Sequence, residues 1–138
     1  MIVAAMKRFL VLLFCVGLSM LSASAQQFYT SSGSLMGKVE NNRIYNKSGS
    51  YKGKIDGSRL YNQSGSYIGK VENDRIYNSS GSYQGKIDNG RIYNKSGSYI
   101  GRIDGEWIYN ARGSLIGKAK NLDITVLTLI FFFHFWDV

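Results

Sequence analysis

From residue 28 to residue 123 the chain restates itself every sixteen residues without an insertion. The rows are FYTSSGSLMGKVENNR, IYNKSGSYKGKIDGSR, LYNQSGSYIGKVENDR, IYNSSGSYQGKIDNGR, IYNKSGSYIGRIDGEW and the decaying IYNARGSLIGKAKNLD. A strict short period gives every row an equivalent place in space. It also means that no single row buries its own apolar side, so neighbouring rows must cover one another.

Read across each row boundary, the unit is two four-residue arms around two turn residues: GKVE-NN-RIYN (37–46), GKID-GS-RLYN (53–62), GKVE-ND-RIYN (69–78), GKID-NG-RIYN (85–94) and GRID-GE-WIYN (101–110). Asn-Asn, Asn-Asp and Asn-Gly tolerate two positive φ angles and suit type I′ turns, whereas Gly-Ser and Gly-Glu suit type II′. Five tight β-hairpins follow, with Glu40 facing Arg43, Val39 facing Ile44 and Lys38 facing Tyr45. Alternation then places Gly37, Val39, Ile44 and Asn46 on one face, and Lys38, Glu40, Arg43 and Tyr45 on the other. Extended backwards, the same alternation assigns Leu35, and in later units Tyr51, Tyr67, Tyr83 and Tyr99, to the apolar face. Cross-strand acid–base pairs such as Asp56–Arg59 contribute about 0.2–1 kcal/mol. The repeated glycine leaves room for an aromatic ring or for a close backbone approach. Between hairpins, Asn-x-Ser-Gly-Ser reads as a reverse connection: Asn46 caps the turn with its side chain and Gly49 takes a left-handed conformation.

A lone hairpin is marginal in water, and an open stack needs atypical capping units that the first and fifth hairpins do not supply. Closure into a pseudo-five-fold ring is the expected solution. The half-repeats at 28–37 and 108–117 resemble the linkers between hairpins and are expected to meet and complete the circle. Beyond the repeat domain (26–121), LDITVLTLIFFFHFWDV (122–138) is apolar nearly all round. It is short for a membrane helix, which needs about 20 residues, and its β-branched and aromatic content leaves helix and strand both open. It reads first as a hydrophobic plug in or on the ring, and second as an exposed patch for a membrane or protein partner.

Residues 1–25 have the layout of a secretory signal peptide: Lys7 and Arg8, the apolar run FLVLLFCVGLSML, then the small residues SASA before Gln26. Met6 is an alternative start. A lipidated-cysteine reading of Cys15 fails because no small residues precede it. Cleavage near Ala25 makes the protein exported, periplasmic or extracellular, and leaves it without cysteine, so packing and hydrogen bonding alone must stabilise it. Losing Lys7 and Arg8 with the leader leaves 15 basic against nine acidic residues, a net +6. That favours acidic partners such as anionic glycans or envelope polymers; export argues against nucleic acid. With no proline and 16 glycines, the turns are built from glycine and asparagine.

No catalytic constellation is legible, because symmetric repeats supply no asymmetric set of acid, base and nucleophile. The one histidine, His134, lies among aromatics and reads as packed or interfacial. Asp56, Glu72, Asp88 and Asp104 recur once per hairpin, but an arginine or tryptophan faces each, so a salt-bridge ladder is favoured over a cation site. No cofactor and no metal are expected. The recurring outer residues Tyr45, Tyr61, Tyr77, Tyr93 and Tyr109, each opposite Lys38, Lys54, Lys70, Lys86 or Arg102, are either ordinary hairpin stabilisation or a multivalent binding platform. Trp107 replaces the arginine in the fifth hairpin only, and that asymmetry marks a candidate single site.

The whole array of five near-identical hairpins, GK[IV][DE]xxRIYNxSGSYxG in outline, after a leader, resembles the bacterial five-fold β-flower proteins across roughly 28–118. MORN and choline-binding repeats share aromatic–glycine hairpins, but with longer periods and different aromatic spacing. The resemblance implies an exported all-β domain with pseudo-five-fold symmetry, and it carries no catalytic or ligand residues with it. The sequence thus points to a non-enzymatic exported scaffold or binding module for glycan. The competing reading is a subunit docked on a membrane or protein through residues 122–138.

Overall fold

The computed structural model describes residues 25–138. The expected leader, with Cys15 and Met6, lies outside the described residues. Twelve strands form a closed antiparallel barrel. They are β1 (Gln26–Thr30), β2 (Leu35–Glu40), β3 (Arg43–Asn46), β4 (Tyr51–Asp56), β5 (Arg59–Asn62), β6 (Tyr67–Glu72), β7 (Arg75–Asn78), β8 (Tyr83–Asp88), β9 (Arg91–Asn94), β10 (Tyr99–Asp104), β11 (Trp107–Asn110) and β12 (Leu115–Ala119), followed by helix α1 (Ile124–Phe131).

The turns carry the chemistry their sequences require. Asn41 and Asn42 both have positive φ (52° and 61°), as do Asn73 and Asp74 (52° and 60°) and Asn89 and Gly90 (51° and 80°), the type I′ pattern. At Gly57-Ser58 and Gly105-Glu106 only the glycine is positive (61° and 59°), which fits type II′. Across β2–β3, Lys38 faces Tyr45, Val39 faces Ile44 and Glu40 faces Arg43. At the opposite end, Asn46 Oδ1 accepts hydrogen bonds from the backbone N–H of Ser48 (3.0 Å) and Ser50 (2.9 Å). Gly49 turns at φ +84°. Asn62, Asn78, Asn94 and Asn110 repeat that cap, and Thr30 Oγ1 stands in for it in the first copy.

Around the circle there are six strand pairs, where the sequence reading counts five. The sixth is made by the two ends of the array: Phe28 faces Ala119, Tyr29 faces Lys118 and Thr30 faces Gly117. These are the register positions of Ile44–Val39, Tyr45–Lys38 and Asn46–Gly37 in a turn-linked hairpin. Even the severed turn persists in part. Asn121 holds φ +60°, as Asn41 holds +52°, and the Gln26 side-chain amide donates to the carbonyl of Asn121. The half-repeats do meet, and in meeting they add a unit.

A second difference concerns the faces. Ile44 pairs with Gly53 but Tyr45 pairs with Tyr51, so Lys52 is an extra residue, and the same register shift recurs at each inter-hairpin seam. A bulge of one residue reverses the alternation beyond it. Tyr51, Tyr67, Tyr83 and Tyr99 therefore leave the apolar face assigned to them and stand beside Tyr45, Tyr61, Tyr77 and Tyr93, with ring centroids 5.8–6.1 Å apart. Leu35, at the equivalent position, is exposed for the same reason.

The core is lined by Phe28, Ile44, Leu60, Ile76, Ile92 and Ile108, which cluster with Leu127, Leu129 and Ile130 of α1. Asp123 caps α1 by accepting from Thr125 N (2.8 Å). Leu127, Thr128, Leu129, Ile130 and Phe131 are consecutive and all buried, so the C-terminal half of the helix is enclosed on every side. Thr128 satisfies its hydroxyl on the Ile124 carbonyl (2.7 Å).

From the last residue of the helix onward, the aromatic residues distribute themselves one per strand pair. Phe131 packs over Gly117, Phe132 over Gly101, Phe133 over Gly85, Phe135 over Gly69 and Trp136 over Gly53. The sixth glycine, Gly37, receives Phe28, which occupies the position held elsewhere by isoleucine or leucine. His134 falls between two of these steps with φ +51°, and it is exposed rather than packed.

Candidate functional site: the outer face of the barrel

Side chains that alternate away from the core form a ladder around the barrel. Each hairpin sets a basic residue over a tyrosine ring: Lys38 over Tyr45 at 5.1 Å, Lys54 over Tyr61 at 5.4 Å, Lys70 over Tyr77 at 5.2 Å, Lys86 over Tyr93 at 5.4 Å and Arg102 over Tyr109 at 4.2 Å. The bulge adds a second cation–ring pair across three of the seams: Arg59 over Tyr67 at 5.6 Å, Arg75 over Tyr83 at 6.0 Å and Arg91 over Tyr99 at 5.9 Å. The unit is thus a four-membered Lys–Tyr–Tyr–Arg row, twice what the sequence suggested. Its tyrosines are half-buried. At exposed sites such contacts are worth about 0.5–1 kcal/mol each, a modest bias toward these side-chain placements. The added tyrosines and arginines were missed because period-two alternation was carried through the bulge. The signal for it was the Tyr-x-Gly spacing, since an interior glycine often marks a bulge.

Carboxylates sit at the turn-bearing end of the same face. Among the described residues, ion pairs within 4 Å run along a strand, Lys38–Glu40 at 3.5 Å, Lys70–Glu72 at 3.4 Å and Arg102–Asp104 at 3.6 Å, rather than across it. Asp56 still faces Arg59 in register, but in place of the expected cross-strand acid–arginine ladder the ion pairs join a lysine or arginine to the acid two residues on. No group of three histidine, cysteine, aspartate or glutamate residues converges among the described residues.

The chain matches the model of a family described as 5-fold beta-flower protein over residues 25–136. It belongs to that family. No curated protein and no solved structure is significantly similar to it. In this β-flower protein the family's five-fold description meets five turn-linked hairpins, plus the sixth pair built from the ends.

A cleft of about 430 Å³ opens at the turn-bearing end, between α1 and the wall formed by β4, β5 and β6. It exists because the helix covers one repeat position unequally. Val39, Ile87, Ile103 and Ala119 are buried, whereas the equivalent Ile55 and Val71 are not. Leu60 and Leu129 form its floor, and Asn42, Ser58 and Thr125 its rim. The ionisable group there, Asp123, is already engaged as the helix cap. The cleft offers apolar space but no reactive chemistry. Trp107, the remaining candidate from the sequence, lies on the outer face where the fifth hairpin meets the sixth pair, and it is 39% exposed.

Proposed function

We propose that this protein is a non-catalytic, exported binding module whose barrel displays the outer Lys–Tyr–Tyr–Arg rows to an acidic glycan or other anionic polymer of the cell envelope or extracellular space. The observation that carries this reading is the repetition of half-buried tyrosine rings, most of them with a cation over the ring, around a closed wall. An aromatic face stacks on the apolar face of a sugar ring, and the flanking lysine or arginine meets a carboxylate, sulfate or phosphate. Repetition suits a polymer, because several weak contacts on one scaffold multiply into avidity. The net +6 of residues 26–138 adds long-range attraction that salt weakens. In this reading residues 122–138 are an internal plug. Docking of that segment on a membrane or protein would require Phe131, Phe133 and Trp136 to leave the glycines they cover.

The test is binding of the purified protein to immobilised bacterial and host glycans at low and physiological salt. The comparison is with a variant in which Tyr45, Tyr61, Tyr77, Tyr93 and Tyr109 are replaced by serine. Retention confined to one acidic glycan class, resistant to salt and lost in the variant, supports the proposal. Binding that disappears at physiological salt, or that the variant preserves, overturns it.

A further inference from the structure

Ring closure brings together departures from the repeat that lie at opposite ends of the sequence. Arg59–Tyr67, Arg75–Tyr83 and Arg91–Tyr99 are cation–ring pairs at one spacing. At that spacing in the next seam stand Trp107 and Leu115, and in the following one Gln27 and Leu35. Strands β11, β12, β1 and β2, which carry these residues, are consecutive neighbours in the barrel. Among the described residues the exposed large hydrophobics are Trp107 at 39% and Leu35 at 37%, and both lie in this sector.

The charges of the sector depart from the repeat as well. Lys38 and Lys70 each pair with a carboxylate two residues on, and Arg102 does the same. Lys118 is the equivalent of Lys38, but two residues on from it stands Lys120. Among the described residues Lys118 has neither an ion pair nor a place over a tyrosine ring. It faces Trp107 on one side and Tyr29 on the other. Beside it a cavity of about 200 Å³ is lined by Tyr29, Glu106, Lys118 and Lys120. One sector thus combines a 39% exposed indole beside the cavity, an unengaged ammonium group and a second lysine where the repeat calls for an acid, with Glu106 as the single carboxylate among two lysines in the cavity lining.

We propose that this seam is a single, discrete binding site for an acidic pyranoside: the sugar ring stacks on Trp107 and its carboxylate or phosphate is held by Lys118 and Lys120. The proposal rests on the reading of the outer face as glycan-binding and assigns the specific contact within it to one sector. The symmetric rows supply avidity along a polymer, and the seam selects the residue that carries the charge. A cation–ring pair engages its own partner. Replacing it with an apolar pair, and the acid with a lysine, leaves both recognition elements free for a ligand.

The experiment restores the repeat. Lys120→Glu returns the missing carboxylate, and Trp107→Arg with Leu115→Tyr returns the cation–ring pair. All three changes install the residue type found at equivalent positions of the same barrel, so the fold is expected to be retained. The probe is a hexasaccharide of alternating glucuronate and N-acetylglucosamine, with its carboxyl-reduced form as the neutral control, measured by calorimetry at physiological salt. The protein is expected to bind one hexasaccharide, at least tenfold more tightly than the reduced form. Each restored variant is expected to weaken binding at least tenfold, the double variant doing so despite its added positive charge. Wild-type affinity in either variant overturns the seam. If the four-tyrosine variant Tyr45→Ser, Tyr61→Ser, Tyr77→Ser and Tyr93→Ser loses this binding while the restored variants keep it, the platform stands and the seam falls. If neither form of the hexasaccharide binds the unaltered protein, the seam falls with the platform.

Discussion

Gly65 turns at φ +84° with open space where a β-carbon would go. Gly69, four residues on, has the carbonyl of Tyr77 on one side and the ring of Phe135 on the other. The two therefore answer to different physics. Gly65→Ala meets only the left-handed backbone penalty of about 1–2 kcal/mol. Gly69→Ala must displace both a strand backbone and an aromatic ring, at a cost near the upper end of overpacking, about 3 kcal/mol. Denaturant midpoints of the two variants measure this directly; equal losses would mean that the ring yields without cost. The conformational role of Gly65 was legible in Asn-x-Ser-Gly-Ser, because turn chemistry is local. The role of Gly69 was legible only as a need for room. What fills the room comes from sixty-six residues further along the chain. Phe28 shows the same logic inverted: the tail supplies rings to five glycines, and the sixth glycine is served by a phenylalanine on the strand itself.

At the scale of elements, residues 122–138 announce burial by being apolar on all sides, but their shape is not written in them. Once the wall has closed, the buried residues of an eight-residue helix join its apolar core. The segment beyond sends successive rings to successive strand pairs, a pattern that depends on the circumference of the barrel rather than on any local propensity. The bulges were hidden for a related reason: a strand with one extra residue looks in sequence like a strand in perfect alternation until its pairing partner is known. Trp136 tests the tail as part of the core. It is 3% exposed, and its indole N–H donates to the Tyr61 carbonyl at 3.0 Å. Trp136→Ala removes the ring and leaves that carbonyl without its donor, a loss of about 3–5 kcal/mol. In fluorescence, Trp136 emits from an apolar site and resists iodide, while Trp107 is quenched. The Trp136→Ala protein should therefore show only red-shifted, quenchable emission. A variant that keeps its full stability would remove the tail from the core.

At the scale of the whole molecule, the decisive contact is the one between the two ends. Each turn-linked hairpin closes over a few residues, and the barrel closes only when β1 pairs with β12 on one side and β2 on the other. Until then two strand edges present unpaired N–H and C=O groups, the template on which sheets associate. The sequence foretold that the ends meet, since both resemble linkers. The extra unit was not foretold, because neither half-repeat contains a turn to count. Removal of residues 26–31 is therefore expected to cost more than the contacts of one short strand. It opens the barrel beside β12, uncovers Gly37 by taking Phe28 away, and frees both edges. The truncated protein should self-associate in sedimentation velocity and lose protection from hydrogen exchange first in β12 and β2. A synthetic peptide spanning residues 25–34 should occupy the gap and return the protein to a monomer. If the truncated chain stays monomeric with unchanged exchange in β2 and β12, the barrel does not depend on β1 for closure and its sixth pair is ornamental.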